Sequence, residues 1–543
     1  MDATTRFDTQ VIGALPVITN YLERLGMANI IDEIVPYEGD VSLGTLIEVL
    51  VVNRLLQPRA LFRIGEWAEK TAVTDYFDLT AEQLNDDRLG RVLERIADHR
   101  LAVQTALTTA AIKEFKLDVR QIHCDITDIE LFGAYESDRD EPSPPAPHPA
   151  YGRTKSGRKN VKQIQCSLSV AKDGGVPLTH QPLGGNIAES TTHIDNLREL
   201  RRILPKQDLV YIADTKLDSI ENLLAIHHAQ GKFLCGGAFL PHWQDEYLRI
   251  RKKLKPIDYF PQSQAKRPPE ERDAYKAYET TDTIEGVIDG RTVRLTYRLI
   301  FVWSEAKARQ EAQTRERHIE KVREEFEKVE KNLNKYSLKT RDKIVRRLEQ
   351  AKTKYNEGEA FDYELKERRG QFTLSWSINQ RRLTRQKQLE GVYLLKTSQS
   401  KRDCPLVDAL TNYKQQSQVE RRFGDFKGPL AVAPMFLKNP QRMAGLLCVL
   451  VWALLVLALM ERQVRRELKG KPMYGLYPEN RPSPAPTGVA ILHCFSALCI
   501  VIVKHQGTTA RRLATPDATQ NRLLRLLGIP PDKLRTFKKT CGM

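Results

Sequence analysis

Apolar residues recur at helical spacing through the first hundred positions. VITNYLERLGMANIIDEIV and LGTLIEVLVVNRLL both place them three and four residues apart, which predicts helices. Leu61–Trp67 continues the pattern, and LNDDRLGRVLERIADH follows with Asn85-Asp86-Asp87 as a helix start. Residues 1–118 therefore read as a helical domain. Its basic surface suits DNA, and a packing role is the alternative.

Near Gln121 the period changes. QIHCDIT predicts a short strand ending in Asp125 and Thr127. The proline-rich, charged run 136–150 is a loop. VKQIQCSLSV, the turn Lys172-Asp173-Gly174-Gly175 and VPLTHQPL give two more strands. A helix from about Thr192, the strand DLVYIADT, the helix LDSIENLLAIHHA and the strand KFLCGGAFL complete the order β-β-β-α-β-α-β over 119–240. Residues 241–390 depart from it. Asp289-Gly290 sits between alternating runs, a hairpin signal, and places Val293, Leu295, Tyr297, Leu299 and Phe301 on one face. Dense Glu/Lys/Arg over 304–356 fits a long charged helix or helix pair. Strand character returns near Trp376, where the indole reads as core or as a stacking surface for an unpaired base.

GVYLLKTS opens a block running from 391 to 470, followed by a charged helix over 411–430. Ala444–Met460 has no charge, and Val489–Val503 is also apolar. Both are shorter than the ~20 residues of a bilayer span, so two buried core helices are expected. The last block, 471–543, reads as a helical basic tail.

Composition adds a partner. Among 543 residues, 85 Lys+Arg against 69 Asp+Glu give a net charge of +16, which favours an anionic partner, nucleic acid first. A hydrophobic share of 41% argues against a wholly disordered chain. The eight cysteines form no CxxC pair and no zinc spacing, as in a reducing cytoplasm. The first ten residues lack the apolar run of a secretion signal.

Asp125 and Asp214 each end an apolar strand, a position suited to a site. On adjacent strands they would bridge Mg²⁺ or Mn²⁺, the ions of two-metal phosphoryl transfer once a third carboxylate joins. Glu420 is the candidate, with Arg421, Arg422 and Lys427 nearby to meet phosphates. The competing readings are plain: Asp214 as a helix cap, Glu420 as a solvated residue.

With those residues in place, the chain resembles DDE insertion-sequence transposases, in the branch with a large insertion between the second Asp and the Glu. That branch ends in Tyr, two residues, Arg, three residues, Glu, six residues, Lys. Here Tyr413, Gln416, Glu420 and Lys427 stand at those positions, with Gln in place of Arg. Gly185-Asn186, Ser190–His193 and IADTKLDS resemble the stretch around the second Asp. LFRIGEWAEK and LNDDRLGRVLERI resemble the N-terminal helical domain of one subgroup. Asp128 stands where the family has a small polar residue.

The resemblance implies an RNase H-like α/β fold: a mixed sheet with flanking helices, an N-terminal helical domain, and an inserted domain with a hairpin and long helix that roofs the DNA. It implies catalysis by Asp125, Asp214 and Glu420 with two Mg²⁺ or Mn²⁺ ions. It also implies DNA contacts from Tyr413, position 416 and Lys427. The partner would be double-stranded DNA, both element ends and target, bound by a homodimer in a prokaryotic cytoplasm. A nuclease that cuts without joining, or a non-catalytic DNA-binding descendant, are the rivals.

Overall fold

The computed structural model describes residues 6–133, 135, 147–152, 154, 156–158, 160–205, 208–505 and 508–530. Most of the expected loop 136–150, and the tail beyond 530 with Cys541, lie outside the described residues. The fold is mixed α/β, and the chain divides into two compact units: 1–232 with 414–543, and 233–413.

In the first unit, β1 (Arg6–Val11) precedes seven helices. These are α1 (Leu15–Leu25), α2 (Met27–Ile34), α3 (Leu43–Leu56), α4 (Ile64–Glu69), α5 (Val73–Phe77), α6 (Asp86–Asp98) and α7 (Arg100–Phe115). Asn85 caps α6 as expected, its side chain accepting from the Arg88 N–H at 2.9 Å. The sheet follows: β2 (Gln121–Leu131), β3 (Ala150–Tyr151), β4 (Lys162–Ala171), β5 (Val176–Gly184), α8 (His193–Ile203), β6 (Val210–Ala213) and α9 (Ile220–His228). β5, β4 and β2 form an antiparallel meander, and β6 then pairs β2 in parallel. The Lys172–Gly175 turn needs left-handed backbone at Gly174 and Gly175 (φ 83° and 61°), which glycine adopts without strain.

The second unit runs β7 (Lys232–Gly237), α10 (Pro241–Ile250), β8 (Lys255–Pro256), β9 (Tyr275–Ile288), β10 (Arg291–Ser304), α11 (Glu305–Lys331), α12 (Arg341–Lys354), β11 (Phe361–Arg368), β12 (Gln371–Ile378), α13 (Gln380–Leu389), β13 (Val392–Thr397) and α14 (Leu406–Lys414). Its strands order β7-β13-β10-β9-β8. The hairpin turns at Asp289-Gly290, with Ile288 opposite Arg291. The charged run forms a helix pair that buries Val322, Phe326 and Val329 on α11 against Ile344 and Leu348 on α12. Trp376 packs on Phe326 and Phe361, and its Nε1 donates to Glu330, so this indole belongs to the core. This unit is wider at both ends than the expected 241–390.

The chain then re-enters the first unit with α15 (Ser417–Lys427), α16 (Pro440–Leu468), α17 (Gly488–His493), β14 (Cys499–His505), β15 (Thr508–Leu513) and α18 (Ala518–Leu526). The apolar α16 is buried in protein along its length, packed on α3, α6 and β5. Gly445 permits the close crossing with α6: a Cβ there would meet the Leu93 carbonyl at 2.1 Å. The expected second core helix is instead α17 followed by β14. Cys-Ile-Val-Ile-Val is rich in β-branched residues, which favour strands once a partner is available. That partner is β1, pairing from Arg6↔Lys504 to Val11↔Cys499. Residues 1–118 and 471–543 thus belong to one compact unit, joined through an antiparallel sheet of β1, β14 and β15.

Candidate active site

β2 and β6 run in parallel, and their pairing reaches His123↔Ile212. Two residues further along stand Asp125 and Asp214: β2 runs on to Leu131, so Asp125 is mid-strand rather than at the expected strand end, while Asp214 directly follows β6. Each accepts from a neighbouring backbone N–H. Asp125 Oδ1 accepts from the Ile126 N–H at 2.8 Å. Asp214 Oδ1 accepts from the Lys216 N–H at 2.7 Å, capping the short turn Thr215–Leu217. The cap reading of Asp214 therefore holds, and a carboxylate has a second oxygen to offer.

The third candidate arrives on α15. Gln416 leads into that helix with helical backbone (φ −50°, ψ −29°). Its Nε2 donates to the Cys124 carbonyl at 2.9 Å. Its Oε1 lies 3.4 Å from His123 Nδ1, so the imidazole donates from that nitrogen. At the far end, Lys427 Nζ is 3.6 Å from Asp128 Oδ1. These two anchors make α15 run along β2 in the strand's own direction. The lengths agree: 427 − 416 = 11 helical steps cover ~16 Å at ~1.5 Å each, and 128 − 123 = 5 strand steps cover ~16 Å at ~3.3 Å. Glu420 follows Gln416 by one turn, ~6 Å, and Asp125 follows His123 by ~7 Å on the same strand face. Glu420 therefore lies on the helix that packs against β2, the strand that carries Asp125.

The side chains are less convergent. Glu420 is exposed and makes no side-chain hydrogen bond or ion pair among the described residues. Among those residues no three His, Cys, Asp or Glu side chains converge closely enough to hold a metal ion. Three carboxylates have the right donor chemistry for Mg²⁺ or Mn²⁺.

The expected phosphate contacts need correction. Arg422 is 0% exposed. Its guanidinium donates to the Gly174 and Gly175 carbonyls at 2.7 and 2.9 Å and pairs with Asp425 and Glu461. Burial pulls it down to about 10, so it still carries its charge at neutral pH. Arg421 also pairs with Glu461. Both arginines pair with α16; Arg422 is buried there and Arg421 stays exposed. Gln416 spends both of its polar groups on β2, and Lys427 faces Asp128. Asp128 itself is buried. Tyr413 is on α14, the last residue of the second unit.

Two residues at the site went unmarked in the sequence. His123 is fully buried behind Asp125, and burial pushes its imidazole down to about 4. Its position two residues before Asp125 in an alternating strand was the available signal. Glu461, an acid inside an apolar helix, was the other.

Comparison with known domain families matches residues 7–106 to a domain of unknown function, DUF4277. No curated protein matches the chain.

Proposed function

We propose that the chain is a DNA transposase of the DDE type on an RNase H-like catalytic domain, with Asp125, Asp214 and Glu420 as metal-binding catalytic residues. The observations that support this most are the tie of α15, which carries Glu420, to β2, which carries Asp125, and the parallel pairing of β2 with β6, which Asp214 directly follows. The sheet order, an antiparallel meander followed by a parallel strand, also suits that fold.

Two Mg²⁺ or Mn²⁺ ions, when bound, would activate the attacking oxygen and stabilise the leaving one. The protein's part is positioning. Two carboxylates come from neighbouring strands and the third from a helix tied to one of them. Water first attacks a phosphorus at the element's end, breaking the P–O3′ bond and freeing a 3′-OH. That hydroxyl then attacks a target phosphorus and displaces the target's 3′ oxygen. One phosphodiester bond forms for each one broken, so joining needs no external energy source. The partner is double-stranded DNA, engaged by a dimer in the cytoplasm of a prokaryotic cell.

One observation favours the non-catalytic reading: no three candidate ligands converge among the described residues. The test is a supercoiled plasmid carrying the DNA that flanks the reading frame, incubated with Mg²⁺ or EDTA, and a pre-cleaved end for joining. Mg²⁺-dependent nicking and joining are expected, both abolished by Asp125→Ala, Asp214→Ala or Glu420→Ala with DNA binding retained. Nicking without joining would make the protein a nuclease. Binding without nicking would make it a non-catalytic descendant.

A further inference from the structure

Apart from any DNA chemistry, the first unit holds a hollow of about 450 Å³, within the size range of small-molecule sites. Its wall is mainly apolar, with Ile12, Leu55, Leu56, Trp67, Leu457 and Leu492. Arg54, near the C-terminal end of α3, lines it, and also lines an adjoining hollow of about 260 Å³. That arginine is 6% exposed. Its Nη2 donates to the Arg59 carbonyl at 2.9 Å, while its buried Nε has no hydrogen-bond partner. No carboxylate pairs with it among the described residues, although the exposed Asp86 lines the second hollow.

A buried guanidinium without a counter-ion costs several kcal/mol. Burial lowers Arg54 to about 10, which leaves it protonated at neutral pH. The charge therefore persists, and among the described residues no carboxylate forms an ion pair with it. We infer that the hollow binds a small amphipathic monoanion, an organic carboxylate whose head group pairs with Arg54 and whose apolar body lies against Trp67, Leu457 and Leu492. The planar fork of arginine matches a carboxylate. One cation among apolar walls suits a single negative charge better than a dianionic phosphate ester.

The experiment is titration calorimetry on the full chain with decanoate, and with decanol as its uncharged counterpart. Saturable binding of decanoate is expected, at least about tenfold tighter than decanol, the worth of one charge-assisted hydrogen bond. Arg54→Met should erase that preference. Val489→Phe, which fills the hollow from its rim and leaves Arg54 in place, should weaken both ligands and guards against misfolding of the first variant. Equal affinity for decanoate and decanol, unchanged decanoate binding in Arg54→Met or in Val489→Phe, or no saturable binding overturns the inference.

Discussion

Two acidic centres in the first unit differ in how their charge is met. Glu461 is 1% exposed in the middle of α16. Arg421, Arg422 and Arg465 surround it, Arg422 and Arg465 at 3.2 and 2.8 Å, and the Gly488 N–H donates to it at 2.9 Å. Asp125, within β2, and Asp214, just past β6, instead sit half-buried, each accepting from a neighbouring main-chain N–H, and Glu420 is exposed. Three arginines crowd the acid that fastens α15 and α17 to α16. Both arginines next to Glu420 in sequence take part in that fastening, and the buried Arg422 is thereby removed from phosphate contact. A buried charge is held by whichever opposite charge the fold delivers, because desolvation makes an unmet one costly.

The contrast breaks first at Glu461. Glu461→Gln keeps the shape and strands three cations, so unfolding stability should fall by about 3–5 kcal/mol. An unchanged urea midpoint would mean the cluster holds nothing together.

Acid should act next. Burial pushes His123 and His193 each down to about 4. A folded pKa below the unfolded ~6.5 means stability is fully present above about pH 6.5 and is lost as pH falls toward 4. Between pH 7 and 5 the loss is at most on the order of 2 kcal/mol per histidine. His123→Gln should remove its share of that slope, and a slope identical to the parent's would place the titration elsewhere.

Gln416→Ala removes the tie between α15 and β2 and should cost about 1–2 kcal/mol. Gln416→Arg can donate to the Cys124 carbonyl but cannot accept from His123. It should therefore fail to restore parental stability, and should leave the salt slope of DNA binding unchanged. A slope steeper by about one phosphate contact would show that the side chain faces DNA.

The smallest stability effect belongs to Glu420→Gln, within about 0.5 kcal/mol because the side chain is exposed. Nicking should nevertheless vanish. A large change in midpoint would make Glu420 structural and remove the contrast between the two centres.

Periodicity alone carried the local elements. The α6 start at Asn85, the Asp289-Gly290 hairpin, the α11/α12 pair and the strand-helix order through 119–240 follow from short-range preferences that neighbours reinforce. Asp125 and Asp214 stood out in the sequence as acids in or after apolar strands, and Glu420 by motif spacing; the expected strand end at Asp125 did not form, because β2 pairs with β4 on to Leu131. What only the tertiary structure decided concerns partners distant in the chain. The run around Val501 became a strand because β1, nearly five hundred residues earlier, offers it an edge. Gln416 turned inward because β2 presents a carbonyl and an imidazole to it. Arg422 became a core residue because Glu461 and the Gly174-Gly175 turn converge on it. A sequence records which groups are polar; which of them meet is set by packing, and packing fixes whether a charge is spent inside the protein or left for a ligand.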